Sequence, residues 1–480
     1  MSSGMTKAEK REATRHVVLT ASIAALGGLL FGYDTGIIGS AKLFIENDFA
    51  LTSSADAFIT GLIVAAVPLG AIFGALASGG VSDTYGRRRT IMGAGILFII
   101  GTAVAALAPG VEVLLVGRVL IGIAIGFASA ACPVYISEVA PKELRGRLVT
   151  LFQLAVTVGI LLAYIVGAIF SGSADWRAMV AVGIIPAAAL AIGMARMPQS
   201  PRWLVMVGKG TEARATLEYL HPGETAAEIE EDLKDLQAGI TPDTAKFRDL
   251  LSPLARVALF VGVSLAILQQ ITGINTVIYY APTIFQEAGL TNATSAILAG
   301  AGVTLVNVLA TIWALRLVQN HGRKTLLLVG VTGMTISLFV LGFAFRLEGP
   351  IVAIIAIVSL MVYVLSFAIS LGPIFWILNS EIYPTKVRGK AAGVGSMTNW
   401  TFNFIVSLTF LLLINALGSS GTFWLYGIIS VGTIFFIKAF VPETKDRSLE
   451  EIENDWRVRA GMDPLPIRKR TMPEDAVPAG

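Results

Sequence analysis

The chain has 480 residues, of which 55% are apolar and only 14% are charged. With a mean hydropathy of +0.74, this composition excludes an ordinary water-soluble globular domain, in which about 25% of residues are charged. The formal net charge of +3 indicates no particular partner, and we expect no nucleic-acid partner.

The apolar residues fall into blocks of about 20 residues, the length that crosses about 30 Å of hydrocarbon as an α-helix. No segment alternates with a period of two, so the pattern does not indicate a membrane barrel. We predict an all-α membrane protein with twelve transmembrane helices. The predicted spans are residues 17–38, 57–79, 90–108, 112–135, 148–170, 177–197, 255–286, 293–317, 324–345, 350–378, 391–415 and 421–440.

The basic residues are distributed unevenly between the two sides of these spans. About 32 of the 36 Lys and Arg lie in the N-terminus, the even-numbered loops and the C-terminal tail, whereas Lys42, Arg177 and Arg346 lie on the other side and Arg118 lies within a span. The positive-inside rule therefore predicts that both termini are cytoplasmic. The first apolar run is too long for a signal peptide, so we expect an uncleaved first span.

Three short motifs occur twice at nearly the same offset. Residues 138–147 read EVAPKELRGR and residues 381–390 read EIYPTKVRGK, while YGRRR at 85–89 matches HGRK at 321–324. PQSPR at 198–202 is matched more loosely by PETK at 442–445. Repeats in register indicate a duplicated chain with two pseudo-symmetric six-helix bundles. Duplicated bundles that face each other across a cavity are typical of transporters.

The longest polar interruption divides the two bundles. We predict an N-terminal six-helix bundle over residues 1–197, a linker of short amphipathic helices over 198–254, and a C-terminal bundle over 255–445. The linker is too short for a second domain with its own core. The tail over 446–480 begins as a charged helix and then becomes rich in Pro, Asp and Arg, so we predict that it is partly disordered.

Two opposite charges lie inside predicted spans, where a charge is costly and usually functional. Asp34 lies in the outer third of the first span, and Arg118 lies near the outer end of the fourth span. The two residues therefore share a depth, so they can pair. A pair that only fixes helix packing is the alternative interpretation.

Neutral amides and aromatic residues also occur within apolar helices, mostly in the second half. Amides satisfy the hydroxyl groups of a neutral polyol, and an aromatic face suits the C–H side of its ring. A lone amide of this kind would more often hold helices together, but the number of them favours a wet cavity or a network. The candidates are Gln153, Gln269, Gln270, Asn275, Tyr279, Tyr280, Asn307, Trp376, Asn399, Trp400 and Asn403.

A third group of charged residues lies at the predicted inner ends of the helices. Such charges are often only solvated or anchoring, but their repetition in both halves favours a shared mechanical role. They are Asp83, Arg87, Arg88, Glu138, Arg145, Arg323, Glu381 and Arg388. The single cysteine, Cys132, has no disulfide partner, and no metal spacing, cofactor loop or nucleophile–base pair is evident. We therefore expect neither an enzyme nor a cofactor.

Taken together, these motifs resemble the sugar porter family of the major facilitator superfamily. The resemblance extends from GLLFGYD at 28–34 to PETK at 442–445. It implies the major facilitator fold with short cytoplasmic helices between the halves. It also implies transport of a monosaccharide or polyol, in some members together with a proton. Some members are facilitative uniporters, and a non-transporting sugar sensor is a further, less favoured alternative.

The resemblance also implies roles for individual residues. Asp34 is implied to carry the proton and Arg118 to tune it. Gln153, Gln269, Gln270, Asn275, Asn307, Trp376 and Asn399 are implied to line the sugar site, and the charged helix ends are implied to form a cytoplasmic latch. Two departures matter: Gln199 replaces a usual Glu, and Ile160 stands where many relatives carry a second Gln.

We therefore predict a proton-coupled importer of a hexose, pentose or inositol-like polyol. The expected partners are this small molecule, a proton and the lipid bilayer, and the expected functional unit is a monomer. The Ala-, Gly- and Arg-rich composition is typical of a bacterium, so the expected location is the inner membrane.

Overall fold

The structure is a computed structural model that describes residues 7–51, 53–238, 246–445, 447, 449–459 and 461–463. Within these ranges every regular element is helical. A helix suits so apolar a chain because it satisfies its own backbone hydrogen-bonding groups, which lipid cannot do. Of the predicted tail, a helix at Leu449–Arg459 is described, and residues 464–480 lie outside the described part.

The N-terminal half makes six crossings, and its sixth crossing consists of two helices. The last predicted span of this half, 177–197, begins with a short helix that the Asp175 side chain caps by accepting a hydrogen bond from the amide of Ala178 at 2.9 Å. The helices are α1 (Lys7–Asp48), α2 (Ala57–Tyr85), α3 (Arg87–Ala106), α4 (Val111–Val139), α5 (Lys142–Ser171), α6 (Trp176–Ala181) and α7 (Ile184–Arg196), and a 3-10 turn at Ser54–Asp56 precedes α2.

The linker forms the short helices that the sequence predicts between the halves. They are α8 (Pro201–Met206), α9 (Gly210–Leu220) and α10 (Ala226–Ala238), followed by a 3-10 segment at Phe247–Leu251. Trp203, Leu217 and Ile229 belong to a small apolar cluster that is separate from the main core. The indole of Trp203 donates to the carbonyl of Asp83 at 2.8 Å, which attaches the linker to the α2–α3 turn.

The C-terminal half also makes six crossings, and two of them are interrupted. The predicted seventh span, 255–286, breaks at Gly273, whose φ of 96° suits glycine. The predicted tenth span, 350–378, breaks at Ser370. The helices are α11 (Pro253–Ile271), α12 (Ile274–Glu287), α13 (Ala293–Asn320), α14 (Arg323–Ala344), α15 (Ile351–Ala368), α16 (Leu371–Glu381), α17 (Arg388–Phe440) and α18 (Leu449–Arg459), with a 3-10 turn at Thr385–Val387.

Helix α17 contains the last two crossings. Its 53 residues would extend about 80 Å as one straight helix, far beyond the thickness of a bilayer. Gly418 interrupts it with φ 69° and ψ 169°, a conformation that glycine adopts readily. The chain reverses there, which gives the twelve crossings of the predicted fold.

The two halves repeat one capping arrangement. The Gln199 side chain accepts the amide hydrogen of Arg88 at 2.8 Å, in the first turn of α3. Glu443 accepts the amide hydrogens of Arg323 at 2.8 Å and of Lys324 at 3.2 Å, in the first turn of α14. The loosely matched motifs at 198–202 and 442–445 therefore perform the same local task, which supports the duplication.

The linker defines one end of the bundle, here called the linker end, and the other end is called the far end. At the far end the halves touch directly. The Tyr164 hydroxyl of α5 donates to the carbonyl of Ile278 in α12 at 2.7 Å, and Ser171 lies 2.8 Å from Thr294 between their hydroxyl oxygens. These two contacts join the halves at the far end.

Candidate functional site

Asp34 and Arg118, the two charges predicted within spans, lie in contact. Asp34 of α1 is 4% exposed, Arg118 of α4 is 2% exposed, and the distance from Nη1 to Oδ1 is 3.6 Å. A buried ion pair is stable only when its remaining donors and acceptors are also satisfied. The environment of the guanidinium therefore decides what this pair can do.

Helix α2 supplies the other partners of Arg118. The guanidinium donates through Nε to the carbonyl of Ile63 at 2.5 Å and through Nη2 to the carbonyl of Val64 at 3.5 Å. Pro68 lies inside α2 and has no N–H, so the carbonyl of Val64 lacks its usual helical donor. Arg118 therefore keeps two acceptors that do not depend on the charge of Asp34.

Four predicted amides form one hydrogen-bonded network, here called the amide network. Gln270 donates to Asn399 at 3.1 Å, and Asn399 donates to Gln269 at 2.5 Å. Gln269 in turn donates to the carbonyl of Leu371 at 2.8 Å, and Asn275 donates to Gln270 at 2.6 Å. These side chains come from α11, α12 and α17, and the carbonyl of Leu371 belongs to α16, so the network joins four helices.

The break at Gly273 makes this network possible. It separates α11, which carries Gln269 and Gln270, from α12, which carries Asn275. On one straight helix, residues five apart would not face each other well. The hydroxyl of Tyr363 donates to the carbonyl of Thr272 at 2.8 Å, which satisfies an acceptor at the break.

A second polar chain joins α17 to α12 near the buried ion pair. The Ser407 hydroxyl donates to Asn403 at 3.1 Å, and Asn403 lies 3.5 Å from the hydroxyl of Tyr279. Tyr279 in turn lies close enough to Asp34 and Arg118 to feel both charges. The neighbouring Tyr280 instead donates to the carbonyl of Ser407 at 2.9 Å.

Three other candidates have polar groups that remain available to a ligand. Gln153 is partly exposed and Asn307 is 8% exposed, and neither side chain hydrogen-bonds to a residue that the structure describes. Trp376 is 40% exposed, with its ring 4.9 Å from that of Phe375. They project from three different helices, α5, α13 and α16.

Trp400 belongs to a contact between the halves. Its ring centroid lies 5.2 Å from that of Phe31, and its side chain is almost fully buried. Phe31 lies on α1, one turn before Asp34. This aromatic contact therefore places the amide-bearing stretch of α17 beside the part of α1 that carries the ion pair.

The charged residues at the linker end pair within their own half. In the N-terminal half, Arg87 lies 2.8 Å from Asp83 and 3.2 Å from Glu138. In the C-terminal half, Arg323 lies 3.9 Å from Glu381. The repeated sequence motifs thus produce matching local ion pairs in the two halves.

The remaining residues of that group have different surroundings. Arg88 donates to the carbonyl of Met197 at 3.0 Å, and Arg388 donates to the carbonyl of Tyr383 at 3.2 Å. Arg145 is exposed. Glu381 also accepts a hydrogen bond from the hydroxyl of Thr444 at 2.7 Å.

Sequence reasoning missed the position of Lys42. The pattern of charges placed it on the far side, beyond the predicted span 17–38, but did not show that α1 continues past it or that it is 1% exposed. Its ammonium group lies 3.0 Å from Glu46, one turn later on the same helix. The signal available in the sequence was this four-residue spacing within a continuing apolar helix.

One group in the described part of the linker has the residue types of a metal site. Nδ1 of His221 lies 3.2 Å from Glu224 and 3.7 Å from Asp232. A single ring nitrogen directed at two carboxylates is the arrangement of a hydrogen-bonded histidine. His221 and Glu224 lie in the turn between α9 and α10, and Asp232 lies in α10, so the group belongs to the linker and not to the candidate site.

The fold and the site together define a class of protein. Twelve crossings in two matched halves, with a buried ion pair and buried amides inside the crossings, are the features of a major facilitator transporter. The sequence model described as "Sugar (and other) transporter" matches residues 20–456. The chain belongs to this family of membrane transporters, and it is not an enzyme.

Several relatives share most of the chain. It is 40% identical to the D-xylose transporter of Levilactobacillus brevis over 442 residues, 92% of this chain and 95% of the relative. It is 40% identical to the galactose-proton symporter of Escherichia coli K12 over 438 residues, 90% of this chain and 93% of the relative.

Solved structures of a sugar transporter are also similar to this chain over most of its length. The inward-open conformation of the xylose transporter XylE from E. coli is 32% identical, with a TM-score of 0.79 over 91% of this chain and 99% of that chain. The proton:xylose symporter XylE bound to 6-bromo-6-deoxy-D-glucose gives a TM-score of 0.75 at 32% identity, over 92% of this chain and 99% of that chain.

Proposed function

We propose that this protein imports a monosaccharide or a small polyol together with a proton, by alternating access between its two halves. The observation that carries the proposal is the buried Asp34–Arg118 pair, 3.6 Å apart, beside Tyr279 at the edge of the polar site. The relatives named as sugar transporters and as a galactose-proton symporter support the same substrates.

The contacts of Arg118 suit Asp34 to a proton cycle. While Asp34 is charged, Arg118 offsets the cost of burying the carboxylate. When Asp34 takes up a proton, the guanidinium still has the carbonyls of Ile63 and Val64 as acceptors. The bundle therefore holds the protonated form without leaving a cation unpaired. One proton crossing about 150 mV supplies about 3.5 kcal/mol, enough for several-hundred-fold accumulation of sugar.

The polar site suits a neutral sugar. Gln153 and Asn307 offer amides to hydroxyl groups, and Trp376 offers a half-exposed aromatic face. The amide network of Gln269, Gln270, Asn275 and Asn399 is satisfied within the protein, so a sugar has to exchange some of these hydrogen bonds for its own. Hydrogen bonds to specific hydroxyls then set the preference among sugars.

Coupling of sugar and proton runs through Tyr279. Asn403 lies 3.5 Å from the hydroxyl of Tyr279, which is within electrostatic reach of Asp34 and Arg118. A sugar that hydrogen-bonds there changes the surroundings of Asp34, and protonation of Asp34 changes the hydrogen bonding offered to the sugar. Such mutual dependence is the reciprocal coupling that a symporter requires.

We propose further that the linker end faces the cytoplasm of a bacterial cell, with both termini inside, and that a monomer is the functional unit. The excess of Lys and Arg at this end supports the orientation. Closure at the far end would then make this an inward-facing state, in keeping with the likeness to inward-open XylE. The linker-end ion pairs are proposed to re-form as a latch between the halves when the protein faces outward.

The test is the external pH of lightly buffered, de-energised cells that express the chain, as hexoses, pentoses and inositols are added in turn. Symport predicts alkalinisation with at least one sugar. Asp34→Asn should abolish this signal while exchange of labelled sugar continues. The matched control is Asp48→Asn, which changes an acid of the same helix that pairs with Arg177 at 2.7 Å near the surface.

A different result would separate the alternatives. Exchange of labelled sugar without any pH change would mean a uniporter, in which Asp34 and Arg118 are structural partners. Binding without exchange would mean a sensor. Alkalinisation that persists in Asp34→Asn would exclude Asp34 as the proton carrier.

A further inference from the structure

We infer that Lys42 is a positioning residue that holds the two halves together at the far end and so sets the balance between the open and closed states of that end. The inference rests on the proposed alternating access. It concerns a buried cation that neither the sugar site nor the proton pair uses.

Lys42 reaches from the N-terminal half to the C-terminal half. Its ammonium group donates to the hydroxyl of Thr283 in α12 at 3.0 Å. It also lies 5.3 Å from the ring centroid of Tyr280, one turn earlier on the same helix. A cation over an aromatic face is attracted by the ring quadrupole. Both contacts cross the boundary between the halves.

Glu46 makes burial of this cation tolerable. The pair lies on α1 at 3.0 Å, and its side chains are 2% exposed for Lys42 and 23% exposed for Glu46. Because both residues belong to one helix, the pair moves with the N-terminal half. Separation of the halves therefore leaves the ion pair intact and breaks only the contacts to Thr283 and Tyr280.

The same stretch of α12 carries another contact of this kind. Pro282 has no N–H, so the carbonyl of Ile278 lacks a helical donor. The hydroxyl of Tyr164, from α5, occupies this acceptor at 2.7 Å. Glu287, at the end of α12, also lies near enough to feel the charge of Lys42. The N-terminal half thus grips consecutive turns of α12 with polar contacts.

These contacts exist only while the far end is closed. Opening would give the carbonyl of Ile278 and the hydroxyl of Thr283 to water, and it would solvate the ammonium group of Lys42. A variant that lacks the ammonium group loses its preference for the closed state. Lys42→Met keeps an unbranched apolar stem and removes the charge, so it should shift the protein toward the state that is open at the far end.

The experiment measures the distance between spin labels at the far end in the full chain. With Cys132 replaced by Ser, Leu107→Cys and Glu348→Cys place labels on exposed loops of the two halves. Lys42→Met should raise the ratio of long to short distances about tenfold, which corresponds to about 1.4 kcal/mol. Thr283→Val, which removes only the acceptor on α12, should shift the ratio in the same direction.

Arg177→Met is the matched control, because Arg177 pairs with Asp48 at the same end but within one half. It should leave the ratio unchanged. An unchanged ratio in Lys42→Met, or an equal shift in Arg177→Met, would overturn the inference. So would a shift in Lys42→Met without one in Thr283→Val, since the contact between the halves would then not be its cause.

Elution as a single folded species checks that each labelled variant is intact. The distance ratio reports only on the separation of the halves. If no sugar changed the external pH, proton coupling would be overturned, but the spin-label distances would still test the role of Lys42.

Discussion

Asn307 and Asn399 are both buried amides of the proposed sugar site, but they should respond differently to replacement by Ala. Asn307 is 8% exposed and makes no hydrogen bond to the part of the chain that the structure describes. Asn399 donates to Gln269 and accepts from Gln270. The first amide is therefore available to a ligand, whereas the second also supports the protein.

The expected magnitudes follow from these partners. Asn307→Ala removes one hydrogen bond to the sugar, worth about 0.5–1.5 kcal/mol, and so should raise the Kd about twofold to tenfold. It should leave the unfolding temperature nearly unchanged. Asn399→Ala strips partners from the buried amides of Gln269 and Gln270, which costs about 1–3 kcal/mol of stability. Unfolding entropy is about 2.1 cal/mol/K per residue, so for 480 residues each kcal/mol corresponds to about 1 °C, and the unfolding temperature should fall by about 1–3 °C.

Two assays on the purified protein separate these effects. Equilibrium binding of the labelled sugar identified in the transport test gives the Kd. The unfolding temperature follows from a thiol-reactive dye, because Cys132 is fully buried and is the only cysteine. If Asn307→Ala lowered the unfolding temperature as much as Asn399→Ala and left the Kd unchanged, the assignment of Asn307 to the sugar site would be refuted.

Two further predictions concern the linker end. Gln199→Glu should raise the unfolding temperature slightly, because a carboxylate at the start of α3 gains about 0.3–1 kcal/mol from the helix dipole. Glu443→Gln should lower the unfolding temperature, since Glu443 caps α14 by accepting the amide hydrogens of Arg323 and Lys324. Thermal unfolding of both variants checks these two predictions. Temperature shifts of the same sign in the two variants would contradict them. Glu381→Gln should slow transport while sugar affinity stays the same, because Glu381 belongs to the proposed latch. Uptake and binding assays on the same variant measure the two quantities. An equal loss of transport rate and of affinity would argue against a latch.

The number and order of the crossings followed from the sequence because lipid imposes a simple rule. A helix has to run about 20 apolar residues to cross hydrocarbon, and each block of that length is visible without any tertiary information. The predicted blocks 391–415 and 421–440 correspond to the two crossings within α17, on either side of Gly418. The repeated motifs then indicated two matched halves.

The interruptions within crossings did not follow from the sequence. The predicted block at 255–286 was longer than one crossing needs, but its composition does not show where the helix breaks. The break at Gly273 depends on residues of other helices that satisfy the backbone there. One of them is Tyr363, whose hydroxyl donates a hydrogen bond to the carbonyl of Thr272. A glycine within an apolar run serves close packing as readily as a break, so the residue alone does not decide.

The residue types of the candidate site were predictable from the sequence, but their hydrogen-bond partners were not. Residue type and depth indicated Asp34 and Arg118 as a possible pair, and the number of amides favoured a polar site. The sequence could not reveal that Arg118 also rests on the carbonyls of Ile63 and Val64, because these groups belong to a helix that is distant in the chain. It also gave no sign that Lys42 is buried.

What the sequence determined by itself were the twelve crossings, the duplication and the residue types that a sugar and a proton require, because these depend on local composition and on the hydrocarbon thickness. Only the tertiary structure decided which polar groups pair with each other through hydrogen bonds or opposite charges. Lys42 is the clearest case: its charge is visible in the sequence, but it is buried because α12 of the other half covers it. Pairing between distant helices depends on their packing in three dimensions, and composition carries no record of it.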